Sequence, residues 1–380
     1  RYLDFNDGYL ARGETCHPSD NLGAVLAAGQ YARKSGRDLM AALATAYQVQ
    51  CRLSAVAPVR AKGFDHTTQG AYAVAAGVSR ALGLDQARTA HAIAISGTMF
   101  NALRVTRTGS LSNWKGLAYP ETVFGATQAT FLARMGITGP LEVFEGNKGF
   151  MDSIAGHFDL DWSKENLELV TRTIVKRFNA EIHSQSALEG ILELAQENGF
   201  KGDEVERIEV DIFDVAYNII GGGEEGDKTR VETKEQADHS LQYMLAVAVL
   251  DGNVTPEQYR PERILRRDVQ DLLKRVVVRP NAEYSARFPD EMPCRLSVSL
   301  RDGRTFIKEK RDYEGFFTHP MRWETVVAKF ERLAEPYADL TLRRQIVDAV
   351  AHLETVDTAN LMLLLSKVTT QSTDEIRTHD

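Results

Sequence analysis

Apolar positions recur three and four apart through the first third of the chain, in GAVLAAGQYARKSG, LMAALATAYQVQCRLSAV, GAYAVAAGVSRALGL and ARTAHAIAISGTMF. That spacing gives each segment one apolar face and predicts packed helices over residues 22–136, with alanine and glycine permitting close interhelical approach. Gly36, Pro58, Gly63, Gly83 and Gly109 are read as the breaks between them. Another helix is predicted over 121–135, ended by Gly136, with Trp114 and Lys115 in the polar loop SNWKG before it. Past Thr171 the pattern shifts towards strands, at 207–213, 275–278, 295–300 and 305–308, interleaved with helices at 186–197, 239–249 and 266–273. Asp302 followed by Gly303 signals a hairpin between the last two strands. Helix returns after Pro320, over 323–332, 340–353 and 357–365. The expected fold is mixed: a large all-α helical domain from residues 1–175 and 322–380, plus a smaller α+β domain from 176–321.

Composition sharpens this picture by exclusion. A chain of 380 residues with 43% hydrophobic side chains suits two domains and a sizeable core. Its formal net charge of −8 argues against nucleic acid as a partner, since phosphate binding needs a basic face. The longest apolar run, around residues 244–250, falls far short of the roughly 20 residues that span a bilayer, so no membrane partner is expected. Cys16, Cys51 and Cys294 lie far apart, without a CxxC pair or zinc-type spacing, so no metal or iron–sulfur cofactor is expected and a reducing cytoplasm is the simplest setting. The chain opens at Arg1 and enters a polar motif at once, which leads us to expect an upstream segment.

That motif, LDFNDGYLARGETCHPSDN at residues 3–21, is dense in carboxylates and turn formers and reads as one wall of an active site. Pro18 disfavours helix at His17, and Ser19 or Asp20 is placed to cap a helix starting near Leu22. The plain alternative is a surface loop with a cap. Four further clusters stand out. In KGFDHTTQ, Lys62 precedes a polar turn where His66 suits acid–base work, against a simple capping role for Asp65 or Thr67. Arg104, Arg107 and Lys115 bring cations and hydroxyls into one glycine-containing stretch, able to pair with the carboxylates of a small acid or simply to be solvated. KRFNAEIHSQ, from Lys176 through Glu181, lies at the domain junction, where small-molecule sites concentrate, or is a linker. KEQADHSLQY carries His239 and Tyr243 at the start of an apolar helix, with Asp238 or Ser240 as a plain cap. His91 and His352 fall on helical faces and read as structural. No dinucleotide fingerprint, phosphate-binding P-loop, GxSxG elbow or HExxH zinc motif is present.

Taken in order, DFND…HPSDN, KGFDHTTQG, SNWKG, KRFNAEIHSQ and KEQADHSLQYMLAVAVLDG resemble the MmgE/PrpD family of 2-methylcitrate dehydratases and cis-aconitate decarboxylases, over nearly the whole chain. The resemblance implies a helical domain completed by the C-terminal helices, a smaller α+β domain, a homodimer, an active site in the cleft between domains, and a role in propionate catabolism. It also implies active-site roles for Asp4, His17, His66, Lys115 and Lys176, and places Tyr243 near the substrate with His239 in the same motif. Two departures matter. Gly8 stands where many members have threonine, and Glu181 stands where decarboxylase-like members carry histidine, with Asn179 in place of the more usual proline; the glutamate favours the dehydratase branch.

The implied reaction is loss of water from a 2-hydroxy tricarboxylate, 2-methylcitrate first, by a carbon–oxygen lyase using neither metal nor nucleotide. Such an elimination needs a base for a proton beside a carboxylate, an acid for the departing hydroxyl, and cations for the substrate's carboxylates. His17 and His66 suit proton transfer because an imidazole titrates near working pH. Asp4 orients a histidine or is itself the base; the sequence leaves this open. Lys115 and Lys176 suit the cationic task, with Lys62, Arg104 and Arg107 as helpers. Decarboxylation of cis-aconitate, epimerisation of a substituted dicarboxylate, and a non-catalytic metabolite-binding or scaffold role stand as alternatives.

Overall fold

The computed structural model describes residues 5–109 and 111–369, and it divides into two compact units. One is helical, built from residues 18–101, 121–172 and 321–380; the other carries the sheets, built from 1–17, 102–120 and 173–320. The fold is thus a helical body plus an α+β body. Strand pairing draws 1–17 into the sheet-bearing unit, whereas the boundaries read from sequence assign that segment, with 102–120, to the helical domain.

In the helical unit, helices Leu22–Tyr31, Gly36–Val56, Thr67–Leu82 and Gln86–Met99 form the predicted close-packed set. Thr67–Leu82 is buried on nearly all sides, as expected of a central helix rich in alanine. Its Gly77 lets Gly36–Val56 approach so closely that a β-carbon there would meet the Ala46 methyl at 2.8 Å. Gly36 begins its helix instead of ending the previous one, because an added β-carbon would press on the carbonyls of Leu353 and Val356. The cap at the first helix also differs from expectation. A short 3₁₀ turn, Pro18–Asn21, leads in, and Asn21 is fixed by giving hydrogen bonds to the Pro18 carbonyl and to Gln50, at 2.9 and 2.8 Å. Helices Trp323–Ala334, Leu340–Ala351 and Thr358–Leu365 close the unit, with Ala338, Leu342 and Ile346 forming a small apolar cluster.

The sheet-bearing unit holds two sheets. The opening motif, read as one wall of an active site with a surface loop as the alternative, is a hairpin: β1 (Asp7–Ala11) turns through Gly13, at φ 81°, into β2 (Glu14–Cys16). On its other edge β1 pairs antiparallel with β3 (Ile174–Val175). The larger sheet has β4 (Val205–Ile212), β5 (Val276–Pro280), β6 (Cys294–Leu300) and β7 (Thr305–Lys310) in the order β5-β4-β6-β7. β4 and β5 run parallel and the other pairs antiparallel, with Gly303 in the predicted turn before β7. β6 alternates cleanly, burying Cys294, Leu296, Val298 and Leu300. Helix Gln185–Asn198 packs so near that a β-carbon at Gly190 would stand 2.7 Å from the Leu296 methyl. Cys16, Cys51 and Cys294 are all buried and unbridged. Helix Trp114–Arg134 runs straight through Pro120, so Trp114 and Lys115 sit in its first turn instead of in a loop.

Candidate functional site

The junction segment 176–185 is a tightly hydrogen-bonded turn, contrary to a linker reading. The Gln185 side chain accepts the N–H groups of Arg177 and Phe178, both at 2.9 Å, and the Asn179 N–H reaches the Val254 carbonyl at 3.0 Å. This buries Lys176, Glu181 and His183 together. Glu181 caps the 3₁₀ turn Ile182–Ser184 with both carboxylate oxygens, taking the His183 backbone N–H at 2.8 Å and its ring Nδ1–H at 2.7 Å. Burial opposes ionisation of Glu181, but the charges of His183, His239 and Lys176 outweigh it and hold the carboxyl down at about 2. An isolated carboxylate would be too costly to keep here; this one is paired.

The second centre grows from KEQADHS. Thr233 and Gln236 close a capping box on the short helix Lys234–Ala237, and Ser240 caps helix Leu241–Asp251 by accepting the Tyr243 N–H at 3.0 Å. Asp238 and His239 are pinned between the two caps. Fully buried Asp238 takes Lys115 Nζ at 3.0 Å, Lys234 Nζ at 2.7 Å and His239 Nδ1 at 2.6 Å. Burial disfavours its charge, yet the three cations keep its pKa well below the usual carboxylate range. Its carbonyl also receives the Glu181 N–H at 3.2 Å, which ties the two centres together.

His17, His183 and His66 each give Nδ1–H to an oxygen. His17 Nδ1 lies 2.6 Å from the Asp7 carbonyl, which only accepts, so the proton sits on Nδ1 and the lone pair on Nε2. Glu181 likewise accepts the Nδ1–H of His183 at 2.7 Å, while His239 Nδ1 lies 2.6 Å from Asp238 and 2.9 Å from Lys115 Nζ. His183 Nε2 faces the Thr15 hydroxyl at 3.4 Å and its ring packs against Phe213 and Phe288. In the helical unit, buried His66 gives Nδ1–H to Asp65 at 2.6 Å, and Asp65 also accepts the Thr67 N–H at 3.2 Å at the start of helix Thr67–Leu82. An imidazole held as the Nδ1–H tautomer presents Nε2 as the proton-accepting atom.

Other expected residues fall as follows. Asp4 lies outside the described residues. Lys62 belongs to the helical unit, where its ammonium reaches the Ala155 carbonyl. Arg104 pairs with Glu225 at 3.0 Å, and Arg107 is buried in the 3₁₀ turn Arg104–Arg107. Tyr243 is buried, with its hydroxyl given to the Gln258 carbonyl. At Gly8 a β-carbon would stand 3.1 Å from Ile182, so the glycine suits the close packing of β1 on the junction turn. Motif reading passed over His183 and took Asp238 for a cap. A cavity of about 670 Å³ in the helical unit, lined by Leu53, Phe144, Met151, Phe158 and Trp162, contains none of these residues.

Comparison with known proteins adds family and relatives. Mouse cis-aconitate decarboxylase is 26% identical over 96% of this chain and 76% of its own length. The 2-methylcitrate dehydratase of Salmonella typhimurium is 26% identical over 80% of this chain, and the mitochondrial 2-methylcitrate dehydratase of Yarrowia lipolytica is 26% identical over 82%. The chain spans 66% and 63% of the lengths of those two dehydratases. Among the described residues, no helix is long and apolar enough to cross a membrane. Residues 1–163 match the MmgE/PrpD N-terminal domain and residues 178–355 match the MmgE/PrpD C-terminal domain, in the order the motifs require. The chain belongs to the MmgE/PrpD family.

Proposed function

We propose that this chain is a carbon–oxygen lyase that removes water from a 2-hydroxy tricarboxylate, with 2-methylcitrate as the first candidate. The observation that carries this reading is the buried cluster of Lys115, Asp238 and His239 joined to Glu181 and Lys176, in a family whose relatives include dehydratases of that name. In the reaction a C–H bond beside a carboxylate breaks, its electron pair forms the C=C bond, and the C–O bond breaks as the hydroxyl takes a proton and leaves as water. Lys115 and Lys176 offset the charge that builds on the neighbouring carboxylate. His17 and His66, each with its lone pair on Nε2, are assigned to proton transfer, and the motif adds Asp4.

Mixing the protein with 2-methylcitrate and following ultraviolet absorbance tests this. The expected result is a new absorbance from the C=C bond; none with either 2-methylcitrate or citrate overturns the reading. Turnover that persists after dialysis against a chelator is also expected, because the proposed chemistry uses no metal. Decarboxylation of cis-aconitate is the second reading, favoured by the match to the mouse enzyme over most of the chain. Release of carbon dioxide separates the two. A homodimer in the cytoplasm completes the proposal, and light scattering that returns twice the 42.3 kDa chain mass is the expected oligomeric result.

A further inference from the structure

The glycine-rich loop at 221–229 is pinned at three points. Glu225 pairs with Arg104 at 3.0 Å, Asp227 accepts the Thr229 N–H and hydroxyl at 2.8 and 2.7 Å, and the Lys228 carbonyl receives the Ser240 hydroxyl at 2.6 Å. Ser240 is the capping residue directly after Asp238 and His239, so this last bond fixes Lys228 beside the buried cluster. Neighbouring cations are committed: Lys115 and Lys234 to Asp238, and Arg104 to Glu225. The half-buried Lys228 differs. Its ammonium lies within electrostatic reach of Glu225, Glu181 and Lys115, yet among the described residues it forms no ion pair. Burial, and then Lys115, make its charge costly, and the two carboxylates offset this in part. A desolvated ammonium on a fixed loop gains most from an incoming anion.

We propose that Lys228 receives one carboxylate of the bound substrate and so sets the preference for tricarboxylates over dicarboxylates. The proposal rests on the tricarboxylate reading above, but binding tests it without turnover. Propane-1,2,3-tricarboxylate has no hydroxyl to lose, and glutarate lacks the third carboxylate. By calorimetry, Lys228→Gln is expected to bind the tricarboxylate about 10- to 100-fold more weakly and glutarate within about threefold, the size of one charge-assisted contact. Lys228→Arg restores much of the loss. For 2-methylcitrate, the Gln variant raises KM over the same range while kcat stays within about threefold. Unchanged tricarboxylate affinity in both Lys228→Gln and Lys228→Met, or an equal loss for both ligands, overturns the proposal. If the wild-type protein dehydrates nothing but its tricarboxylate binding depends on Lys228, the function reading fails and this one stands. If wild-type turnover is normal and KM is indifferent to Lys228, the reverse holds.

Discussion

Glu181 and Asp238 are carboxylates held ionised inside the protein, and each is there to fix a histidine as much as to carry charge. This has a measurable cost in acid. Glu181 titrates near 2 when folded against an ordinary 4.5, so the unfolded chain binds the proton first as pH falls. Its contribution to stability is complete above about 4.5 and is lost as pH drops towards 2. Melting temperature should therefore fall over that window, and Glu181→Gln should show a shallower fall on the same scan. At the two histidines proposed to move protons, His17→Ala and His66→Ala should each lower kcat by about 10²- to 10⁴-fold in a protein that still folds, as circular dichroism and steady-state rates would show. Lys115→Met should raise KM and also slow turnover, because Asp238 and His239 lose the ammonium between them. The sequence motifs pointed to His17, His66, Lys115 and Lys176. They could not expose Asp238 as a hub, since its partner Lys115 is 123 residues away and local reading offers only a cap.

Helices and strands were legible where periodicity was long and unopposed. The predicted strands in the second half appear within a residue or two, and Gly303 makes its expected turn. Short or punctuated stretches misled. The opening motif reads as loop because its strands are short and rich in polar residues, yet pairing with β3 holds it in a sheet. Pro120 looks like a boundary, but the helix carries it at the loss of one backbone hydrogen bond. Gly36 looks like a stop and is a start. Gly36→Ala should destabilise by about 1–3 kcal/mol in a urea titration, since the new methyl meets carbonyls that cannot retreat. Ser240→Ala should cost about 1 kcal/mol through the lost cap and, by releasing the Lys228 carbonyl, also raise KM.

At the scale of the whole molecule, the composition announced a helical and an α+β part, but the assignment of residues 1–17 to the second is non-local. It rests on β1 meeting β3 through Asp7 with Val175 and Gly8 with Ile174, a contact no window of sequence contains. The net charge of −8 belongs to a protein proposed to bind an anion, so the local gathering of lysines must work against the general field. Cys16, Cys51 and Cys294 are all buried. Cys294 is pushed up to about 12 by burial, and neither Cys16 nor Cys51 reaches the surface, so Ellman's reagent should find almost no reactive sulfur until the chain is denatured. A single cysteine introduced on the surface would then be a clean attachment point for a fluorophore, with nothing native to remove first.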